Sequence, residues 1–328
     1  MPLTTLAQGR PLKCEPALTC LPSQIKERCP VLLCWFAAAT YLPAVPELPE
    51  VEVLIRNLRP LLKNKTVREV RVRRPKVLAP TRPWQLAKAL VGGRFLEVSR
   101  RGKYLLFTVQ PATRAAPVLV VGHLGMTGRM YLRRAGMPLP RHTALVLELG
   151  REEFIFEDTR YFGRFTLDTG AMERLGPEPL GKEFTVQYFA QALKRSSQPV
   201  KVKLLDQRLV AGIGNIYASE ALFQAGISPR LPARRLKEDQ IARLWRAIRQ
   251  VLAEAIEWGS TVPLNYPGTG RRDRLFYFGS ADGAGHFNKE RLRMYARAGQ
   301  PCPSCGAVVK RLVQAGRSTY YCPVCQPR

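Results

Sequence analysis

Four cysteines near the carboxyl end constrain this chain more than any other feature. Cys302-x2-Cys305 and Cys322-x2-Cys325 are separated by 16 residues. Two thiolate pairs at that spacing can close a tetrahedron around one zinc ion, with each sulfur about 2.3 Å from the metal. Such a site leaves no coordination position open, so its role is structural. Gly306 permits the tight turn after the first pair, and Val308–Val313 and Ser318–Tyr321 read as two strands joined at Ala315-Gly316. A hairpin of this size needs its metal to fold, because zinc contributes roughly 10–16 kcal/mol in isolated finger peptides.

The remaining cysteines, Cys14, Cys20, Cys29 and Cys34, fall at irregular spacing in the first 45 residues, and the long stretch from there to Cys302 has none. A secreted disulfide scaffold would not leave its main body bare, so the pattern fits the reducing cytoplasm. The apolar run Pro30–Ala39 is too short to span a bilayer, and no transmembrane segment is visible. Length (328 residues) and a hydrophobic content of 46% allow two domains with cores of their own. The 52 Lys and Arg against 25 Asp and Glu leave a formal charge of +27. That excess is costly in self-repulsion unless a polyanion uses it, and nucleic acid is the leading partner. No basic amphipathic helix carries the charge, which argues against a membrane surface.

Apolar residues at Val51, Leu54, Ile55, Leu58, Leu61 and Leu62 repeat at helical spacing behind Pro49. From residue 66 to about 168, short runs such as Tyr104–Val109, Ala144–Leu149 and Phe162–Leu167 alternate with turns and predict an antiparallel sandwich. Residues 185–258 read as helical, with Ile216–Ala225 closed by Gly226 and a long helix stopped by Gly259. Gly212-Ile213-Gly214-Asn215 opens the shorter helix. Its glycines admit a close ligand, Asn215 is a suitable N-cap, and the helix amino end offers N–H groups to an anion.

Several motifs then follow one another in a fixed order: Pro46-Glu47-Leu48-Pro49-Glu50-Val51-Glu52, Arg101-Gly102-Lys103-Tyr104-Leu105, His123-Leu124-Gly125-Met126, Asp158-Thr159-Arg160-Tyr161-Phe162-Gly163, Leu175-Gly176-Pro177-Glu178-Pro179, and the Gly212 motif. Together with the cysteine unit, they make the chain from Pro46 to Cys325 resemble the formamidopyrimidine-DNA glycosylases, which excise oxidised purines. The resemblance implies an α+β fold. An antiparallel β-sandwich with a leading helix would span residues 46–178, a helix–two-turn–helix DNA-binding domain 179–290, and a zinc-ribbon hairpin 296–328. It implies one structural zinc ion on Cys302, Cys305, Cys322 and Cys325, damaged double-stranded DNA as partner, no membrane, and a monomer.

Catalytic roles are likewise implied for Pro46 as nucleophile, Glu47 as acid at the sugar, Lys103 as acid of the first strand-cleaving elimination, and Arg317 for the second. Met126, Arg160 and Phe162 would fill the gap left by an everted base. His142, Lys201 and Asn215 would contact DNA near the lesion, and Glu50 would order the site. The family's nucleophile is a free terminal proline amine, whereas here 45 residues precede Pro46 and make its nitrogen an amide. The expectation is that translation starts at Val45, that the initiating methionine is removed, and that residues 1–45 are not part of the functional protein. A chain that keeps them would be a non-catalytic, zinc-stabilised DNA-binding protein. Tyr161 stands where the family usually has a second basic residue, Ala144 replaces the second histidine of a His-x-His pattern, and Ser197 lies where a lysine is often found. The Gly259–Phe287 loop, with Arg271, Arg272 and Arg274, is longer and more basic than the family's.

Overall fold

A computed structural model describes residues 46–113, 115–259 and 292–327. The extension ahead of Pro46 and the loop bearing Arg271, Arg272 and Arg274 lie outside the described residues.

Helix α1 (Leu48–Leu62) buries Leu48, Val51, Ile55, Leu58 and Leu62, the stripe its spacing predicts. Pro49 sits in the first turn, where a missing N–H costs nothing. The helix packs on strand β2 of a sandwich. Its strands are β1 (Glu69–Val72), β2 (Arg94–Arg101), β3 (Tyr104–Gln110), β4 (Val118–His123), β5 (Gly128–Arg134), β6 (Thr143–Glu148), β7 (Glu152–Asp158) and β8 (Arg164–Thr166). They form two four-stranded sheets, ordered β1-β6-β7-β5 and β2-β3-β4-β8, with every pairing antiparallel.

Burial alternates along β3, so Leu105, Phe107 and Val109 point into the space between the sheets. There the Phe107 ring meets Phe154 at 5.7 Å and Phe165 at 5.5 Å. Each such side chain contributes about 1.5–3 kcal/mol by leaving water.

Two elements of this half escape the sequence pattern. Strand β5 carries Arg129, Arg133 and Arg134, which mask the buried Met130 and Leu132. Arg133 is accommodated by a 2.7 Å ion pair to Glu153 on the neighbouring strand. Helix α2 (Pro83–Leu90) buries only Leu86 and Leu90, too few for a helical period to register.

The helical half contains α3 (Gly170–Glu173), α4 (Val186–Lys194), α5 (Val200–Leu204), α6 (Asn215–Gln224) and α7 (Glu238–Glu257). Phe184, Phe189, Leu222, Leu244 and Ile248 form its core. Gly226 (φ +68°) and Gly259 (φ +80°) follow α6 and α7 in left-handed backbone, the conformation that ends helices.

The terminal hairpin pairs β9 (Lys310–Gln314) with β10 (Arg317–Tyr321) through Ala315 and Gly316, both at positive φ. Its first strand begins later than Val308, which forms an isolated bridge to Pro301 instead. The buried Glu220 of α6 anchors the hairpin unit. Its carboxylate accepts the N–H groups of Arg293, Met294 and Tyr295 at 2.7–2.9 Å. Gln326 adds a bond to the Ile227 carbonyl at 2.9 Å. Among the described residues, no helix is long and apolar enough to cross a membrane.

Candidate active site

The centre of the site is a carboxylate resting on a helix end. Glu47, just ahead of α1, is 2% exposed. Its oxygens accept the N–H groups of Gly214 (2.7 Å), Ile216 (2.9 Å) and Tyr217 (3.4 Å) at the start of α6. Helix amino ends leave such donors unpaired and favour negative charge. The anion here comes from the chain itself, which corrects the expectation of N–H groups left free for a ligand. It also moves the N-cap from Asn215 to Gly214. A Cβ on Gly214 would lie 2.6 Å from Lys103 Nζ and against the Glu47 carboxylate, so only glycine lets these two groups approach.

Glu50 fixes the residue before the helix. One oxygen accepts the Glu47 N–H at 2.9 Å, and the other accepts the Tyr217 hydroxyl at 2.7 Å. Pro46 is buried at this same junction.

Lys103 enters from the tip of the β2–β3 hairpin. Burial lowers its pKa, the Glu47 and Glu50 charges oppose that shift, and Arg317 reinforces it. Burial raises the pKa of Glu47, against the pull of Lys103 and the helix N–H groups.

The hairpin tip is clamped by Glu178, which accepts from Gly102 N (2.6 Å), Arg100 Nη1 (2.7 Å) and Arg101 Nη1 (3.0 Å). Arg100 also reaches Glu52 on α1 at 2.8 Å. The carriers of Glu47 and Lys103 are therefore joined through one guanidinium. Sequence reasoning saw Glu178 only as part of a linker motif and passed over Arg100. Their one available signal was charge beside a glycine turn.

Lys201, in α5, is fully buried. Its ammonium donates to the Asn215 side-chain oxygen, to Thr319 Oγ1 (2.8 Å) and to the Ser318 carbonyl (3.2 Å). Asn215 Nδ2 donates to the same carbonyl at 2.9 Å. Burial and the nearby Arg317 push the Lys201 pKa down to about 8, against the pull of Glu47. Arg317 is exposed at the hairpin turn, and its charge acts on both lysines. Glu47, Lys103, Lys201, Asn215 and Arg317 thus gather around the start of α6.

Met126, Arg160 and Phe162 form a second group. Arg160 Nη1 donates to Met126 Sδ at 3.4 Å, and its guanidinium stacks 5.2 Å from the Phe162 ring. Phe162 is 50% exposed, which removes it from the core where a lone phenylalanine normally belongs. The buried Asp158 shapes this loop by accepting the N–H groups of Arg160 and Gly163 at 3.1 and 2.8 Å. His142 lies at the base of the loop, its carbonyl accepting the Asp158 N–H at 3.1 Å. Between the groups stands His123, whose pKa falls to about 4 through burial and the charges of Lys103 and Arg164. Its Nδ1 accepts the Gly125 N–H at 3.0 Å, so the ring is neutral and offers its other N–H.

The ligand atoms of Cys302, Cys305, Cys322 and Cys325 all lie within 4.8 Å of one another. Pairs at 3.8 Å (Cys302–Cys325) and 3.4 Å (Cys305–Cys322) approximate the edges of a zinc–thiolate tetrahedron, about 3.8 Å for bonds of ~2.3 Å. The donor set is all sulfur and suits one structural zinc ion.

Comparison with known proteins gives the family. The family model of the formamidopyrimidine-DNA glycosylase N-terminal domain matches residues 45–165, and that of the formamidopyrimidine-DNA glycosylase H2TH domain matches 175–264. A zinc finger found in FPG and IleRS matches 299–328. A formamidopyrimidine-DNA glycosylase of Thermus thermophilus is 45% identical over 289 residues, covering 86% of this chain and 98% of the relative. That of Carboxydothermus hydrogenoformans is 40% identical over 282 residues, covering 86% and 100%. Among solved structures, MutM (Fpg) of Thermus thermophilus superposes with a TM-score of 0.71 at 42% identity, covering 86% of this chain and 98% of that one. Lactococcus lactis Fpg, solved with DNA containing an abasic site, gives 0.75 at 31% identity, covering 86% and 100%.

Fold and site together define an H2TH protein with a carboxyl-terminal zinc finger. Within that class, the chain belongs to the formamidopyrimidine-DNA glycosylase family.

Proposed function

We propose that this protein, with Pro46 as its amino terminus, removes oxidised purines (8-oxoguanine and formamidopyrimidines) from double-stranded DNA and then cleaves the strand. The reading rests above all on the buried Glu47 carboxylate held at the start of α6, with the Lys103 ammonium beside it. The neutral Pro46 nitrogen attacks the sugar C1′, and the damaged base leaves with the electron pair of its glycosidic bond. Glu47 gives a proton to the opening sugar-ring oxygen, and loss of the nitrogen's proton leaves a covalent iminium. A terminal amine suits this step, because an unperturbed pKa of ~7.7–8.0 keeps much of it unprotonated near neutrality.

Lys103, lowered in pKa by burial, is suited to proton transfer in the first elimination. Arg317 serves the second. The products are a gapped strand with phosphate on both ends, the excised sugar as an unsaturated aldehyde, and the free enzyme, the last two separated when water hydrolyses the iminium.

Met126, Arg160 and Phe162 enter the duplex where the base has left, offsetting a stacking loss of a few kcal/mol. His142 and Asn215 hold the backbone beside the lesion, and Lys201, buried beneath β10, supports Asn215 through its side-chain oxygen. The protein acts as a cytoplasmic monomer. Translation from Val45 followed by methionine removal supplies the free imino terminus. Retention of Glu47, Lys103 and Arg317 near the start of α6 weighs against a non-catalytic DNA-binding role.

Borohydride reduction in the presence of an 8-oxoguanine duplex tests this reading. The chain beginning at Pro46 is expected to form a stable protein–DNA adduct, and the chain with residues 1–45 attached is not. If the shorter chain fails to be captured, the proposal is wrong.

Lys201 provides a pH test. Its pKa of about 8 lies below its ordinary 10.5, so folding carries a penalty at neutral pH. Between these values the folded lysine has lost its proton and the unfolded one has not, so stability rises with pH across that window. DNA affinity should move the other way. For the full chain, whose Pro46 is an amide and does not titrate, affinity is expected to fall roughly tenfold between pH 7 and 9, the worth of one charge-assisted hydrogen bond. Lys201→Met should flatten that dependence in a duplex-binding titration. A slope unchanged by the substitution would show that the Lys201 charge does not govern binding.

A further inference from the structure

The loop carrying Arg160 and Phe162 has a second set of cations against it, supplied by the segment after β1. Arg74 places its guanidinium 5.5 Å from the Tyr161 ring centroid, and Lys76 Nζ lies 5.9 Å from that of Phe162. Both side chains are exposed, yet both are held by fixed surroundings. Between and beyond them the single turn Pro75–Leu78 buries Val77 and Leu78 completely. Thr81 then ties the segment to β8, with its hydroxyl 2.8 Å from that of Thr166 and accepting the Leu167 N–H at 2.9 Å. Tyr161, at φ +52°, packs its ring on the sandwich core and forms a platform under the guanidinium.

Arg164 completes the group, donating to the Gly163 carbonyl at 2.8 Å. Among the described residues none of Arg74, Lys76, Arg160 and Arg164 forms an ion pair. The one carboxylate within the loop, Asp158, is buried and taken up by Thr127 and the N–H groups of Arg160 and Gly163. Four cations without ion pairs on and against this loop repel each other, and they do so beside the exposed Phe162 ring, which would otherwise mark an apolar contact. A chain of regularly spaced phosphates relieves that repulsion in a way a single small anion does not.

We infer that Arg74, seated on Tyr161, and Lys76, seated on Phe162, grip the DNA backbone flanking the inserted side chains. This rests on the reading that Met126, Arg160 and Phe162 enter the duplex. It assigns Tyr161 a role as well: the ring holds in place a cation that arrives from the distant segment after β1.

Fluorescence anisotropy of the full chain with a duplex containing a tetrahydrofuran abasic-site analogue, from 50 to 200 mM KCl, tests it. Each neutralised phosphate contributes ~0.9 to the slope of log affinity against log salt. Arg74→Ala is expected to lower that slope by ~0.9 and to weaken binding several-fold, while Arg74→Lys keeps most of the slope. Tyr161→Leu should also weaken binding without changing the protein's charge. In that background Arg74→Ala should cost clearly less than it does alone. The inference is overturned by an unchanged slope for Arg74→Ala, or by Tyr161 and Arg74 losses that add in full. Wild-type protein without salt-dependent duplex binding would instead sink the underlying reading. Because Arg74 is exposed, its variants should melt with the wild type, which a thermal scan confirms.

Discussion

Removing zinc from Cys302, Cys305, Cys322 and Cys325 is expected to unfold the carboxyl-terminal hairpin and abolish duplex binding, while the sandwich stays folded. The hairpin has two five-residue strands. Its own core is little more than Phe223, Met294, Cys302, Val309, Tyr320 and Cys322. A lone hairpin is marginal in water, whereas a four-thiolate zinc site adds roughly 10–16 kcal/mol. The loss reaches the site because β10 carries Arg317, and because its Ser318 carbonyl holds Lys201 and Asn215 while its Thr319 hydroxyl holds Lys201. Without them Lys201 keeps only its bond to the Asn215 side chain, and Asn215 loses the carbonyl that orients it. Chelation followed by circular dichroism and anisotropy, or the same measurements on Cys322→Ser, checks this. Zinc-free protein that still binds duplex at wild-type affinity would contradict it.

Glu47→Gln should reduce base excision by roughly 10²–10⁴-fold, the usual contribution of a positioned acid or base. It should also destabilise the chain, because a buried charge loses its partner. That charge is Lys103, whose pKa is held up chiefly by Glu47 and should fall further without it. Glutamine also presents an amide N–H₂ to donors at Gly214 and Ile216 that had faced a carboxylate. Single-turnover excision and urea unfolding measure the two effects separately. Near-wild-type excision by Glu47→Gln in a chain beginning at Pro46 would exclude the carboxylate as the acid.

Much of this was legible in the sequence because it rests on local rules. The stripe from Val51 to Leu62 and the alternation along Tyr104–Val109 report which face is buried. The cysteine spacing reports a metal. The positions of Glu47 and Lys103 could be taken from short motifs. What could not be read was the identity of the anion on α6, since Glu47 and Ile216 are far apart in sequence and meet only through packing. Asn215 looked like a cap for the same reason. The Glu178–Arg100–Glu52 network and the three N–H bonds to Glu220 are also long-range, and no periodicity announces them. Charged side chains on β5 concealed a strand because their partners lie on β7, outside any local window.

The carboxylate at the head of α6 has a mechanical consequence. The group assigned to give its proton to the sugar is also a peg by which one half of the molecule hangs on the other. Any hinge-like parting of the sandwich from the helices must pull Glu47 off Gly214, Ile216 and Tyr217. On the role proposed for Glu47, a gaping protein is a disarmed one, and only the shut arrangement is primed to break a bond.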